Sequence, residues 1–591
     1  MGIGDIRVVG IVGCGTMGSG ISEVCARAGY EVRVHEVDDQ AVERGLERIR
    51  SSMERAVTGG KLGSDDRDAA LGRITAHTEL EGLKDADIVV ECVPEQLDLK
   101  RDVFARLDAL LPEQALLTTN TSSLPVIELA VATNRPQRVV GLHFFNPAPV
   151  MQLVELVHTV TTDDAALQQA RGFAEALGKT AIACRDRAGF IANLLLFPYL
   201  NEAVRMLESG FASREDIDAA MRFGAGHPMG PLALMDLVGL DSCYLILESL
   251  HRQFSDRRYA PAPMIKHLVS AGYRGRKSGH GFYTYAEPGS PDVLQDERGG
   301  RSVTLPNPTG EIRTVAVLGT GTMGSGVVEV AAKAGYDVVC RGRSEDSLAK
   351  AQAAMERSLG RAVDRGRMSP EDRDAALGRV TWTTEIQALA DADLVVETLA
   401  EDLELKKQVF AELDAVAKPD AILSTCTSSL PVVELASVTS RPDRVCGVHF
   451  FNPAPIMRLV ELVSTVATSP EVIATSKAAV ERMRKHAVLC EDRAGFIVNR
   501  LLFPYINDAV KMLESGYATE TDIDTAMTLG CAHPMGPLAL ADIVGLDVTL
   551  EILNSLHAEF REPSYAPAPL LEHMVKAGYL GRKTKRGFHT Y

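Results

Sequence analysis

Two histidines and two glutamates form the most reactive arrangement in the sequence. His143 precedes Glu155 by twelve positions, and His449 precedes Glu461 by the same interval. Each histidine sits in the run His-Phe-Phe-Asn-Pro-Ala-Pro, which reads as a strand leaving into a rigid turn. If the next strand runs back, the glutamate lies beside the imidazole. Histidine suits proton exchange with an alcohol near neutral pH, and a paired carboxylate fixes its tautomer and supports the imidazolium. Ser122 ends another strand-like run, with Ser428 as its counterpart, while Asn193 and Asn499 open long helical stretches. These four side chains are candidates to hold a substrate oxygen, although serine and asparagine are also ordinary helix caps. No Gly-x-Ser-x-Gly surrounds Ser122, so it is not read as a nucleophile.

The chemistry recurs because the chain is written twice. Residues 6–285 and 312–591 keep a constant offset of 306 positions, from Gly13/Gly319 to Tyr285/Tyr591, without insertion or deletion. In each unit a short apolar strand runs into a glycine turn, then a helix and a second strand, which is a βαβ unit. Further strand runs at 86–91, 115–119, 141–144 and 152–160 predict a Rossmann-like α/β doubly wound sheet, with the last two closing it. From Asn193 the spacing becomes helical, over 194–206, 214–221 and 232–250. The predicted domains are 1–186 (nucleotide-binding), 187–285 (all-helical), 286–311 (a tether rich in Pro, Gly and charge), 312–492 (nucleotide-binding) and 493–591 (all-helical).

The glycine turns are Gly13-Cys14-Gly15-Thr16-Met17-Gly18 and Gly319-Thr320-Gly321-Thr322-Met323-Gly324. After a strand and before a helix, this pattern cradles a dinucleotide pyrophosphate on the helix N-terminus. Glu36 ends the second strand, where a carboxylate binds ribose hydroxyls and repels a 2′-phosphate, favouring NAD. Its counterpart is Gly342, followed by Arg343 and Ser344, which suit a 2′-phosphate, so unit 2 is expected to prefer NADP or at least to have lost a strong NAD preference, which leaves NAD or NADP as its cofactor. The competing reading is a basic loop beside a nucleotide site that has decayed.

Composition excludes several classes. A chain of 591 residues exceeds one core, and 46% hydrophobic with 24% charged residues is ordinary for a globular protein. A formal charge of -17 argues against nonspecific nucleic-acid binding. There is no apolar run suited to spanning a membrane, and the N-terminal residues lack a signal-peptide pattern. Lipidation at Gly2 is not expected, because Ile6 stands where a myristoylation signal has Ser or Thr. Ten cysteines without a CxxC pair predict free thiols, no metal site and a cytoplasmic location.

Both units resemble the L-3-hydroxyacyl-CoA dehydrogenases, including the bacterial 3-hydroxybutyryl-CoA dehydrogenases. The resemblance runs through nearly all of each unit. It is carried by the glycine turn, Asn120-Thr121-Ser122-Ser123, His143-Phe144-Phe145-Asn146-Pro147, Gly189-Phe190-Ile191-Ala192-Asn193, His227-Pro228-Met229-Gly230-Pro231 and Gly281-Phe282-Tyr283. It implies reversible oxidation of a 3-hydroxyacyl-CoA to the 3-oxoacyl-CoA with a nicotinamide cofactor. The histidine would be the acid/base, the glutamate its partner, and the serine and asparagine the holders of the reacting oxygen. It also implies nicotinamide-side contacts at Glu95, Lys100 and Asn120, matched by Glu401 and Lys406. Two departures stand out: Cys426 replaces Asn120, and the family's usual Arg after the helix asparagine is Leu194 in unit 1 but Arg500 in unit 2. Dimerisation through the helical domains is implied, so two tethered units would form an internal pseudo-dimer. The alternatives are a CoA-independent 3-hydroxy acid dehydrogenase, and one catalytic unit completed by a structural partner.

Overall fold

Alternating buried strands and amphipathic helices build each nucleotide domain. The computed structural model describes residues 6–295 and 305–591; Gly2 and positions 296–304 of the tether lie outside them. Strands β1 (Val8–Val12), β2 (Glu31–His35), β3 (Ile74–His77), β4 (Ile88–Glu91), β5 (Leu116–Thr119), β6 (Val139–Phe144), β7 (Leu153–His158) and β8 (Thr180–Arg185) form one sheet. Their spatial order is 3-2-1-4-5-6-7-8. β4, β5 and β6 are buried along their whole length, as expected where helices cover both faces. The pairs are parallel except β6 with β7, so the chain reverses once, after the histidine strand.

Two strands escape the sequence reading. β3 is only partly buried, and β8 lies beyond the 152–160 run that was expected to close the sheet. The expected helix over 232–250 is two helices, Pro231–Val238 and Leu240–Phe254. Gly239 separates them with φ +102, a conformation open chiefly to glycine. β9 (Thr284–Tyr285) pairs antiparallel with β10 (Val293–Leu294), so the tether begins as a short hairpin. At its far end the Thr309 amide donates to Thr475 Oγ1 at 3.1 Å. These pairings are too short to leave a periodic signal.

The second unit repeats the pattern with β11 (Thr314–Leu318), β12 (Asp337–Arg341), β13 (Val380–Thr383), β14 (Leu394–Glu397), β15 (Ile422–Thr425), β16 (Val445–Phe450), β17 (Leu459–Ser464) and β18 (His486–Glu491), in the same order. All ten cysteines are free thiols. No helix among the described residues is long and apolar enough to cross a membrane.

The helical domains pack on each other through helices Ala192–Glu208 and Val498–Glu514. His227 and His533 stack with ring centroids 3.9 Å apart, and each imidazole Nδ1 meets a tyrosine hydroxyl, Tyr199 at 3.3 Å and Tyr505 at 3.1 Å. Ion pairs cross the same contact: Arg500 to Glu202 at 2.7 Å and Arg258 to Asp508 at 2.5 Å. Each helical domain also reaches the opposite sheet. Gly530 lies against Leu153 and Phe145, and Gly224 against Leu459 and Val498, so that a Cβ at either would displace a neighbouring leucine, at 2.8 Å and 2.7 Å respectively.

Burial pushes the His227 pKa down to about 4, and burial together with His227 pushes His533 to about 3. An imidazole released to water titrates near ~6.5. Between those values the released state binds more protons, so acidification from about pH 6.5 to pH 4 removes stability at up to about 1.4 kcal/mol per pH unit per histidine. Denaturant melts across this window are expected to show that slope in the native chain and a shallower one in His533→Phe. An unchanged slope would contradict the assignment.

Candidate active site

The reversal between β6 and β7 places His143 directly across from Glu155 in the antiparallel register, and His449 across from Glu461. Both Nδ1–Oε2 distances are 2.7 Å, and both glutamates are fully buried. The other oxygen, Oε1 of Glu155, accepts backbone amides from Ile191 (3.0 Å) and Ala192 (2.9 Å) at the start of the Ala192–Glu208 helix. Ile497 and Val498 do the same for Glu461 at 3.0 and 2.9 Å. Helix-terminal amides favour the anionic carboxylate. A carboxylate only accepts, so the short bond assigns the ring proton to Nδ1 and leaves Nε2 as a base. Phe145 and Phe190 flank the His143 ring with centroids at 4.7 and 5.5 Å. Phe190 and Phe496 take φ values of +52 and +48, unusual for side chains of this size, just before the helix that caps the glutamate.

The remaining oxygen-side candidates meet across the interdomain cleft. Asn193 Nδ2 donates to the Ser122 carbonyl at 3.4 Å, and Asn499 to that of Ser428 at 3.5 Å. Glu95 Oε1 gathers the Ser122 and Ser123 amides and the Thr121 hydroxyl. Burial opposes its charge, but Lys100 and these donors outweigh burial and hold its pKa below the usual carboxylate range. Glu401 behaves likewise beside Lys406.

The two lysines are deeply buried. Lys100 and Lys406 are 1% and 0% exposed, bonded to Glu91 and Glu397 at 2.7 and 2.8 Å. Each ammonium also reaches the cleft glutamate, Lys100 to Glu95 at 3.3 Å and Lys406 to Glu401 at 3.5 Å. Asn120 Oδ1 accepts the Phe144 amide at 2.8 Å; in unit 2 the Cys426 sulfur takes that role at 3.4 Å.

The glycine turn tests whether a dinucleotide fits. Gly13 has φ +91, and a Cβ there would meet the Cys92 carbonyl at 2.9 Å. A Cβ on Gly15 or Gly321 would meet nothing within 4 Å, so protein packing does not require glycine there. That open space lies at the caps of the Thr16–Arg27 and Thr322–Lys333 helices, where no side chain bonds the first amides. The cradle suits a pyrophosphate. Thr16, Met17 and Gly18, with Thr322, Met323 and Gly324, form the first turns of these helices.

At the ribose end the units diverge. Glu36 Oε1 accepts the Cys14 amide at 2.6 Å, which fixes the carboxylate beside the turn. A Cβ on Gly342 would lie 2.8 Å from Leu348 and 2.9 Å from Ser347. The corresponding residues in unit 1 are Val42 and Ala41, both smaller. Unit 2 is thus repacked around the lost acid. Arg343 is exposed. Ser344, expected beside a phosphate, caps the Glu345–Asp364 helix by accepting the Ser347 amide at 3.3 Å.

Sequence reasoning missed several positioning groups. Lys179 Nζ donates to the Ala148 and Met151 carbonyls at 2.6 and 2.8 Å, pinning the turn after the histidine strand. Lys485 does the same in unit 2, and burial pushes its pKa down to about 8. Arg48 donates to the Cys14 carbonyl at 3.2 Å beside the nucleotide turn. The 306-residue offset was the available signal for the lysine pair, although nothing local marked its partners.

The chain matches the description 3-hydroxyacyl-CoA dehydrogenase, NAD binding domain, over residues 8–187 and 314–493, and the C-terminal domain of that family over 189–285 and 495–591. A 3-hydroxybutyryl-CoA dehydrogenase of Mycobacterium tuberculosis is 50% identical over 282 residues, 47% of this chain and 99% of the relative. A 3-hydroxyadipyl-CoA dehydrogenase of Escherichia coli K12 is 30% identical over 584 residues, 97% of this chain and 99% of the relative. The crystal structure of a 3-hydroxybutyryl-CoA dehydrogenase from Escherichia coli K12 superposes with a TM-score of 0.71 at 27% identity, covering 97% of this chain and all of that one. The chain belongs to the 3-hydroxyacyl-CoA dehydrogenase family, and carries both domains of that family twice.

Proposed function

We propose that both units oxidise (S)-3-hydroxyacyl-CoA reversibly, with 3-hydroxybutyryl-CoA as the reference substrate, unit 1 using NAD and unit 2 NADP. The carrying observation is the His–Glu pair, present twice with the same 2.7 Å geometry. His143 Nε2 takes the C3 hydroxyl proton, Glu155 balances the resulting imidazolium, and Ser122 and Asn193 orient the oxygen. His449, Glu461, Ser428 and Asn499 repeat these roles. The bound nicotinamide supplies the hydride acceptor, or the donor in reduction. Gly13, Gly15 and Gly18, with Gly319, Gly321 and Gly324, would hold its pyrophosphate. Glu36 would hold the NAD ribose, and Arg343 a 2′-phosphate in unit 2. The relative matching along the whole chain is named for 3-hydroxyadipyl-CoA, so a dicarboxylic acyl chain belongs in the substrate series.

The helix contact, the stacked histidines and the crossed ion pairs support an internal pseudo-dimer of the two units. Within it, each catalytic strand rests on the opposite helical domain. Gly530 of unit 2 packs on Phe145 and Leu153, and Phe145 in turn packs on His143.

Replacing His143 and His449 together with Gln should lower turnover by roughly 10²–10⁴-fold while NADH and NADPH titrations still saturate. Full activity in that double variant would overturn the mechanism. The buttress is read by crossing variants. Gly530→Val should cut the activity of unit 1, measured in the His449→Gln chain, by about tenfold or more. The same change should leave unit 2 intact in the His143→Gln chain. Equal losses in both, or none, would remove the proposed dependence.

A further inference from the structure

We propose that this chain exchanges reducing equivalents between the NAD and NADP pools, with the 3-hydroxyacyl-CoA/3-oxoacyl-CoA pair as diffusible carrier. The inference rests on the cofactor division proposed above and adds an activity that neither site has alone. Three observations carry it. The acid–base pair has one geometry in both units, so each site can run in either direction. Glu36 is fixed at the unit 1 turn through the Cys14 amide, where its charge repels a 2′-phosphate. In unit 2 the acid is gone, Ser347 and Leu348 crowd the position, and exposed Arg343 stands next to it.

The exchange balances. At unit 1, 3-hydroxyacyl-CoA and NAD⁺ give 3-oxoacyl-CoA, NADH and a proton, with the hydroxyl proton leaving through His143. At unit 2, 3-oxoacyl-CoA, NADPH and a proton give 3-hydroxyacyl-CoA and NADP⁺, with His449 returning the proton to the oxygen. The acyl-CoA pair is regenerated, and the net change is NADPH and NAD⁺ to NADP⁺ and NADH. A 2′-phosphate sits at the far end of the nucleotide from the reacting ring, so the pool ratios set the direction. Equal and interchangeable cofactor use would make the second site redundant; divided use makes the pair of sites a transhydrogenase whenever both acyl-CoA forms are present.

The test uses the full chain, NADPH, thionicotinamide-NAD⁺ (whose reduced form absorbs at longer wavelength than NADPH) and a trace of acetoacetyl-CoA. Reduced thionicotinamide-NAD should accumulate to many equivalents of the acyl-CoA supplied. It should not form without acyl-CoA, and His143→Gln and His449→Gln should each abolish it. Separately, equilibrium titration of the doubly substituted chain should saturate with one NADH and one NADPH that do not displace each other. Arg343→Ala should weaken the NADPH step by roughly tenfold or more, the loss of a charge-assisted hydrogen bond, and leave the NADH step unchanged. Mutual displacement of the nucleotides at both sites would overturn the cofactor division itself. Independent titrations without hydride exchange, or exchange that survives either single histidine change, would overturn the transhydrogenase alone.

Discussion

One buried carboxylate ties each unit together. Glu155 meets His143 through one oxygen and two backbone amides of the helical domain through the other. The first contact depends on the single antiparallel pair in an otherwise parallel sheet, because only reversal of the chain sets these two positions opposite each other. The second depends on the chain entering the helical domain just after β8. The same group therefore fixes the tautomer of the histidine and anchors the helical domain on the sheet. A buried anion with fewer donors would be costly, which explains why both oxygens are occupied.

The two units lean on each other as well as on themselves. Each helical domain packs on its twin and on the opposite sheet, near the strand that carries the glutamate. Repetition of sequence does not make the contact symmetric. Glu202 is met by Arg500, whose counterpart is Leu194, whereas Asp508 is met by Arg258, whose counterpart is Ser564. The acids are shared by both units, but the cations come from different places on each. The nucleotide ends have diverged in the same piecemeal way, with Gly342, Ser347 and Leu348 changed as a group where Glu36, Ala41 and Val42 stand in unit 1.

Much of this is legible in the sequence, and the rest is hidden for physical reasons. A glycine turn after an apolar strand predicts the first βαβ unit because few other folds place glycines at that spacing. The spacing of His143 and Glu155 predicts their approach only if the chain reverses, and the rigid Asn-Pro-Ala-Pro turn supplies that cue. β8 and the break at Gly239 are missed because a half-buried edge and a lone glycine leave little trace in periodicity. Ser344 is a residue type that serves equally as a phosphate donor or a cap, and the helix that follows uses it as a cap. Nothing in the local sequence announces that Lys100 is enclosed by Glu91 and Glu95. Burial of this kind has no single-residue signal.

The central claim is that the glutamate sets the histidine tautomer and so leaves Nε2 free to take the substrate proton. Nitrogen NMR of the imidazoles in full-length protein, assigned with His143→Gln and His449→Gln, tests this directly. At a pH where both rings are neutral, the account predicts protonated Nδ1 and bare Nε2 for both histidines, with loss of that preference in Glu155→Gln and Glu461→Gln. A proton on Nε2 in the native chain would contradict it.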